Sequence, residues 1–91
     1  MIFEWSERKA AVNLAKHGVS FSDAATLFAD ALALTFVDAE HSVSEERWLS
    51  FGVTADGRPV VVSNIERNGR VRIISARLMT PQERGQHERY R

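Results

Sequence analysis

Two residue pairs constrain this chain more than anything else in it. Asp56-Gly57 and Asn68-Gly69 are the pairs that the tight turns of two-residue hairpins favour, because both central positions need φ above zero. Beyond each pair runs a segment rich in Val and Ile, "RPVVVSNIER" (58–67) and then "RVRIISARL" (70–78). Ahead of the first pair, "ERWLSFGVT" (46–54) sets Leu49, Phe51 and Val53 alternating with Trp48, Ser50 and Gly52. That alternation predicts a strand with Leu49, Phe51 and Val53 on one buried face. Two consecutive hairpins make three antiparallel strands, "LALTF" (32–36) adds a fourth, and 38–44 reads as an acidic polar loop.

Helical signals bracket this block. Ser6 is a cap, the apolar positions Ala10, Ala11, Leu14 and Ala15 follow helical spacing over Glu7 to Lys16, and Gly18 stops the helix. Ser20 and Asp23 form a variant capping box. Phe21, Ala24, Ala25 and Phe28 then carry a second short helix to about Ala29. Thr80-Pro81-Gln82-Glu83 has a cap, Pro at the first helical position and Glu three residues after the cap, so a closing helix runs from Pro81 towards Tyr90. "MIFEW" is an apolar opening, extended against the sheet or helical. The predicted fold class is α+β, one domain over 1–91, with two N-terminal helices, a four-stranded antiparallel β-meander and a C-terminal helix. The helices cover one face of the sheet and the other face is open to water.

Composition narrows the chemistry. No cysteine is present, which removes disulfides and thiolate zinc sites. His17, His41 and His87 form neither HxxxH nor HxH, so no metal centre and no cofactor are expected. No nucleophile elbow or phosphate-binding glycine loop occurs. The opening "MIFEWSERK" lacks the apolar core of a signal peptide, and no apolar run approaches the ~18 residues of a membrane span, which predicts a cytoplasmic protein.

The net charge of zero conceals an uneven distribution. Residues 38–57 hold Arg47 against five acidic side chains, whereas residues 58–91 hold eight arginines against three glutamates. Ten of the twelve cations are Arg, the side chain shaped for bidentate contact with phosphate or carboxylate. Three of them, Arg70, Arg72 and Arg77, thread the last predicted strand. Strict alternation points Val71, Ile73, Ser75 and Arg77 one way and Arg72, Ile74, Ala76 and Leu78 the other. Arg72 and Arg77 then share a site only if a bulge or strand end intervenes. Each can equally pair with Glu66, Glu46 or Glu83, or lay its stem over the core with its head in water. His17, at a helix end, sits where a cation is favoured by the helix dipole.

Taken together, "FEW" (3–5), "NLAKHGVSFSDAATLFAD" (13–30), "EERW" (45–48), "GR" (57–58), "RVRIISARLMTPQER" (70–84) and Tyr90 resemble the BrnT family of toxins. The resemblance runs over nearly the whole chain. "KHGVSF" and "RIISAR" are its most specific pieces, while position 6 is Ser where the family often shows Asp. It implies a compact RelE-like toxin domain and a metal-independent endoribonuclease that cleaves mRNA and arrests translation. It further implies neutralisation by a BrnA-type antitoxin in a hetero-oligomer that meets DNA only through the antitoxin. Under this resemblance Arg72, Arg77 and Arg58 would grip the scissile phosphate. His17, Glu83 and Tyr90 would be the candidates for proton transfer, and Lys16, Arg84 and Arg70 would hold flanking phosphates. A non-catalytic relative that binds the antitoxin and co-represses its operon is the alternative.

Overall fold

The computed structural model describes residues 1–90. Its elements are β1 (Ile2–Glu4), α1 (Glu7–His17), α2 (Phe21–Ala25) continued by a 3-10 turn (Thr26–Ala29), β2 (Leu34–Val37), β3 (Trp48–Val53), β4 (Pro59–Arg67), β5 (Arg70–Leu78) and α3 (Pro81–Glu88). The caps read from the sequence form, although the Ser20–Asp23 box forms only from the Ser20 side. Ser6 and Ser20 accept from the amides of Lys9 and Asp23, Gly18 takes φ 69°, and Thr80 with Glu83 closes a full capping box.

The sheet corrects the predicted four-stranded antiparallel meander, and with it the RelE-like description. It has five strands in the order β1-β5-β4-β3-β2, and β1 lies parallel to β5 with Ile2, Phe3 and Glu4 opposite Arg70, Val71 and Arg72. A three-residue strand is too short to show periodicity, and a parallel partner reached through a long connection leaves no turn signal. β1 also explains the apolar opening. It carries Phe3 onto Phe28, ring centroids 5.3 Å apart, and leads into Trp5, which meets Phe21 edge-on at 6.0 Å.

The main core lies between α1, α2 and one sheet face. Val19, Phe21, Ala24 and Leu27 pack on Val60, Val62, Ile73 and Ala76, all buried. Full burial of each aliphatic side chain contributes about 1.5–3 kcal/mol. Ile73 and Ala76 are three apart, an odd spacing that plain alternation would put on opposite faces. The ladder explains it: Ser75 faces Ser63 and Ile73 faces Asn64, so Ile74 is an extra residue bulging from β5. Beyond the bulge the parity is reversed. Arg72 and Arg77 therefore do lie on one face of the sheet, the face away from α1 and α2.

Two further expectations invert. In β3 the deeply buried residues are Ser50 and Gly52, while Leu49, Phe51 and Val53 are half-buried. The helical layer comes so close that a Cβ on Gly52 would stand 3.0 Å from Leu27 Cγ and 3.1 Å from Ala33 Cβ, so only small residues fit there. Leu49 and Phe51 face the other side, where they form a groove with His87 of α3 and with Tyr90, which follows that helix. The helices thus lie on both faces of the sheet rather than one. Among the described residues no helix is long and apolar enough to cross a membrane.

Candidate functional site

β1 pairs with β5 only as far as Arg72, so the rest of that strand's outer edge has no strand beside it. α1 covers part of this edge through a single polar residue. Asn13 is the one buried residue of α1; its amide nitrogen donates to the Ala76 carbonyl at 2.8 Å and its oxygen accepts from the Ala76 amide at 3.1 Å. The same nitrogen donates to the Val19 carbonyl at 2.9 Å. The side chain thereby supplies what a neighbouring strand would supply, and buried backbone groups at this edge are satisfied.

Asn13 also sets which helix face looks along the edge. Residues three and four positions away share that face, which brings Lys9, Lys16 and His17 to it. A cleft runs there between α1 and β5, lined by Ser6, Arg8, Lys9, Val12, Asn13, Lys16, His17, Ile74 and Ser75. Three cations and a histidine line it, and no carboxylate does. Arg8, Lys9 and Lys16 are exposed, and none has an acidic partner among the described residues. The nearby Glu7 accepts from the Trp5 indole instead, at 3.1 Å.

Arg58 lies just past the residues that line the cleft, at the C-terminal end of α1. Gly57, at φ 84°, allows the tight turn in which the Thr54 hydroxyl receives the Arg58 amide. From there the Arg58 guanidinium donates to the Gly18 carbonyl at 3.1 Å, directly beyond His17 in the chain. Lys16, His17 and Arg58 thus gather around the end of α1, where the helix dipole favours positive charge.

The remaining candidates lie elsewhere. Arg77 forms two hydrogen bonds to Glu83, Nη1 to Oε1 at 2.7 Å and Nη2 to Oε2 at 3.0 Å. Glu83 Oε1 also accepts from the Thr80 amide at 2.9 Å. The Arg77 hydrogen bonds hold the Glu83 carboxyl down at about 2 against partial burial, and Arg77 is correspondingly raised. This pair braces the end of β5 to the start of α3. A carboxylate so engaged is a weak base and is not protonated near neutral pH. Arg72 sits 3.8 Å from Glu4 on the neighbouring strand. Five residues of strand place Arg72 and Arg77 about 16 Å apart, and their heads turn to different partners, so the shared face does not bring them to one phosphate. Arg70 is exposed at the far hairpin, Arg84 is exposed on α3, and Tyr90, 71% exposed, borders the groove with Phe36 and Phe51. Asp38, Glu40 and His41 bring three potential metal donors within 4.8 Å on an exposed loop, where His41 pairs with Asp38 at 2.8 Å.

Asn13, Arg8, Lys9 and Ser75 were not singled out by the sequence. The only signal for Asn13 was a polar residue four positions before His17 inside an otherwise apolar helix pattern.

The family model for the ribonuclease toxin BrnT of type II toxin–antitoxin systems matches residues 5–83. The chain belongs to the BrnT family. A crystal structure of the Brucella abortus ribonuclease toxin BrnT is similar over 88% of this chain and 99% of that one, with a TM-score of 0.67. Sequence identity is 21%, so that likeness is one of fold. No curated protein sequence matches the chain. Membership of the BrnT family makes RNA the substrate class and an antitoxin the partner class to consider for this site.

Proposed function

We propose that this chain is a toxin that cleaves RNA through the ribose 2′-hydroxyl without a metal ion, arrests translation in the cytoplasm and is neutralised by a BrnA-type antitoxin. The observation that carries this reading is the carboxylate-free cleft that reaches Lys16 and His17, with Arg58 bonded to the Gly18 carbonyl just beyond it. Such a reaction needs a group that takes the 2′-hydroxyl proton, cations beside the crowded phosphorane and a proton for the departing oxygen. Histidine is the side-chain type whose ordinary titration suits the proton steps. His17 takes the proton as the 2′-oxygen bonds to phosphorus. The bond to the 5′-oxygen breaks, and the imidazolium returns the proton to that oxygen. Arg58 and Lys16 stabilise the charge on the phosphoryl oxygens. The products are a 2′,3′-cyclic phosphate and a 5′-hydroxyl, and DNA is spared.

The test is incubation of antitoxin-free protein with single-stranded RNA in EDTA, with the new ends mapped and His17→Ala run alongside. We expect cyclic-phosphate ends and a loss of about 100-fold or more in folded His17→Ala. Ends bearing 5′-phosphate, or full-rate cleavage by that variant, overturn the reading. One observation favours a second reading, the non-catalytic co-repressor: Arg67, Arg72 and Arg77 already have carboxylate neighbours within the chain. That reading requires no cleavage under any condition and no growth arrest on expression without the antitoxin.

A further inference from the structure

The cleft extends well beyond the three residues to which a reaction is assigned. From His17 back to Lys9 and Arg8 the α1 axis advances about 12–14 Å at 1.5 Å per residue. At the ~3.4 Å per nucleotide of a stacked strand, that length accommodates about three to four nucleotides. Arg8 and Lys9 stand at its far end, exposed and without acidic partners among the described residues. They are adjacent in sequence, so their heads splay to either side of the cleft mouth. Ser6 lines the cleft from the α1 side and Ser75 from β5.

We infer that single-stranded RNA lies along α1 in this cleft, with Arg8 and Lys9 holding backbone phosphates a few nucleotides from the bond that is cut. This inference rests on the reading above and extends it to a flanking subsite. The charge pattern of the molecule supports it. The chain as a whole is neutral, and in the clefts around residues 37–47 the cations stand among carboxylates, Arg47 beside Glu40 and Glu45 and Arg67 bonded to Glu45, so a polyanion gains less there. Along α1 the cations meet no such opposition. Asn13, bonded to Ala76 and Val19, fixes the helix at its middle, so the cations stand at a set distance from β5. The backbone that carries the row is thus preformed, and the ordering cost on binding is confined to the Arg and Lys side chains. The cleft includes Lys16 and His17, to which the reaction is assigned, and this favours the substrate over an acidic segment of a partner protein as its occupant.

Binding reports on this subsite independently of cleavage. The affinity of an octameric 2′-O-methyl RNA, which cannot be cut through the 2′ position, is measured from low to high salt for the parent and for the Arg8→Ala/Lys9→Ala double variant. Both positions are exposed helix sites where Ala is well tolerated, and thermal unfolding checks the fold. Each single-strand phosphate contact adds about 0.7 to the salt slope, so we expect the double variant's slope to be shallower by about 1.4, with about tenfold weaker binding near physiological salt. An unchanged slope, or a parent that does not bind the oligonucleotide, overturns the inference. So does a variant that keeps its RNA slope but loses affinity for the antitoxin, since the cleft then docks protein. Failure of the cleavage reading appears separately, as absent cyclic-phosphate ends with RNA binding intact.

Discussion

Asn13 pairs with both backbone groups of Ala76, a residue 63 positions away in sequence, and so ties the middle of α1 to the strand edge that β1 leaves uncovered. Three hydrogen bonds converge on one side chain that is 6% exposed. This contact orients the helix face that carries Lys9, Lys16 and His17.

Replacing Asn13 by Ala strands the Ala76 amide and carbonyl and the Val19 carbonyl. Each buried group left without a partner costs about 1–3 kcal/mol, reduced where water enters beside the cleft. We expect a net loss of about 2–4 kcal/mol, read as a fall in the denaturation midpoint. Asn13→Asp fares no better, because a carboxylate oxygen cannot donate to the two carbonyls. Stability within about 0.5 kcal/mol of the parent in either variant removes the contact from this account.

The Arg77–Glu83 brace predicts a pH dependence whose sign follows from the lowered Glu83 carboxyl. The group titrates at about 2 in the folded protein and at an ordinary 4.5 when unfolded. Its stabilisation is therefore present above pH ~4.5 and is lost as pH falls towards 2. Arg77 is 41% exposed and Glu83 23%, so solvent screening brings the contribution to about 1 kcal/mol, or about 4–8 °C in midpoint for a domain of this size. Glu83→Gln should lower the thermal midpoint by about that amount at pH 6, and the gap should narrow below pH ~4.5 and close only as pH falls through about 2. A gap that is constant across this range assigns the loss to the helix cap alone.

Local signals in this sequence were legible and parity was not. The caps at Ser6, Ser20 and Thr80 and the Asn68-Gly69 turn depend on neighbours in the chain and form as read, whereas at Asp56-Gly57 only Gly57 takes a positive φ and the connection runs from Thr54 to Arg58. The faces of strands and helices depend on partners far away. The apolar positions Ala11, Leu14 and Ala15 of α1 are exposed and polar Asn13 is buried, because the surface beneath α1 is a strand edge demanding hydrogen bonds. The bulge at Ile74 reverses β5 without any glycine to announce it. The candidate site was legible in part for the same reason. "KHG" marked Lys16 and His17, but the meeting of Arg58 with Gly18 spans 40 residues and follows only from the packed fold.

The close approach of the helical layer to β3 makes Gly52→Ala a test of packing on that face. The new methyl group would sit 3.0 Å from Leu27 Cγ and 3.1 Å from both Ala33 Cβ and Asp30 Oδ2. Asp30 accepts from the Val53 amide at 2.9 Å, so it cannot withdraw without losing that bond. Overpacking of this kind costs about 1–3 kcal/mol. The loss appears in equilibrium unfolding, with the sheet otherwise intact by circular dichroism. Parent-like stability would mean that the segment from Leu27 to Ala33 yields to the new methyl group without cost.

The final prediction separates the arginines that the sequence grouped together. Arg58 stands just past the carboxylate-free cleft, bonded to the Gly18 carbonyl beyond His17, whereas Arg72 is on the opposite face with Glu4 as its neighbour. If cleavage occurs in the cleft, Arg58→Ala removes a cation from the phosphorane and should lower the rate by about 100-fold or more, the effect typical of losing one preorganised donor. Arg72→Ala should stay within about threefold of the parent rate. Its loose, partly exposed ion pair contributes less than about 1 kcal/mol, so the fold survives the change. Arg58→Lys distinguishes charge from shape: a lysine keeps the charge but not the planar fork that reaches the Gly18 carbonyl while facing phosphate. Partial recovery in that variant assigns the effect to charge, and none assigns it to the fork. Equal damage from Arg58→Ala and Arg72→Ala would move the reaction out of the cleft and onto the face that Arg72 shares with Arg77.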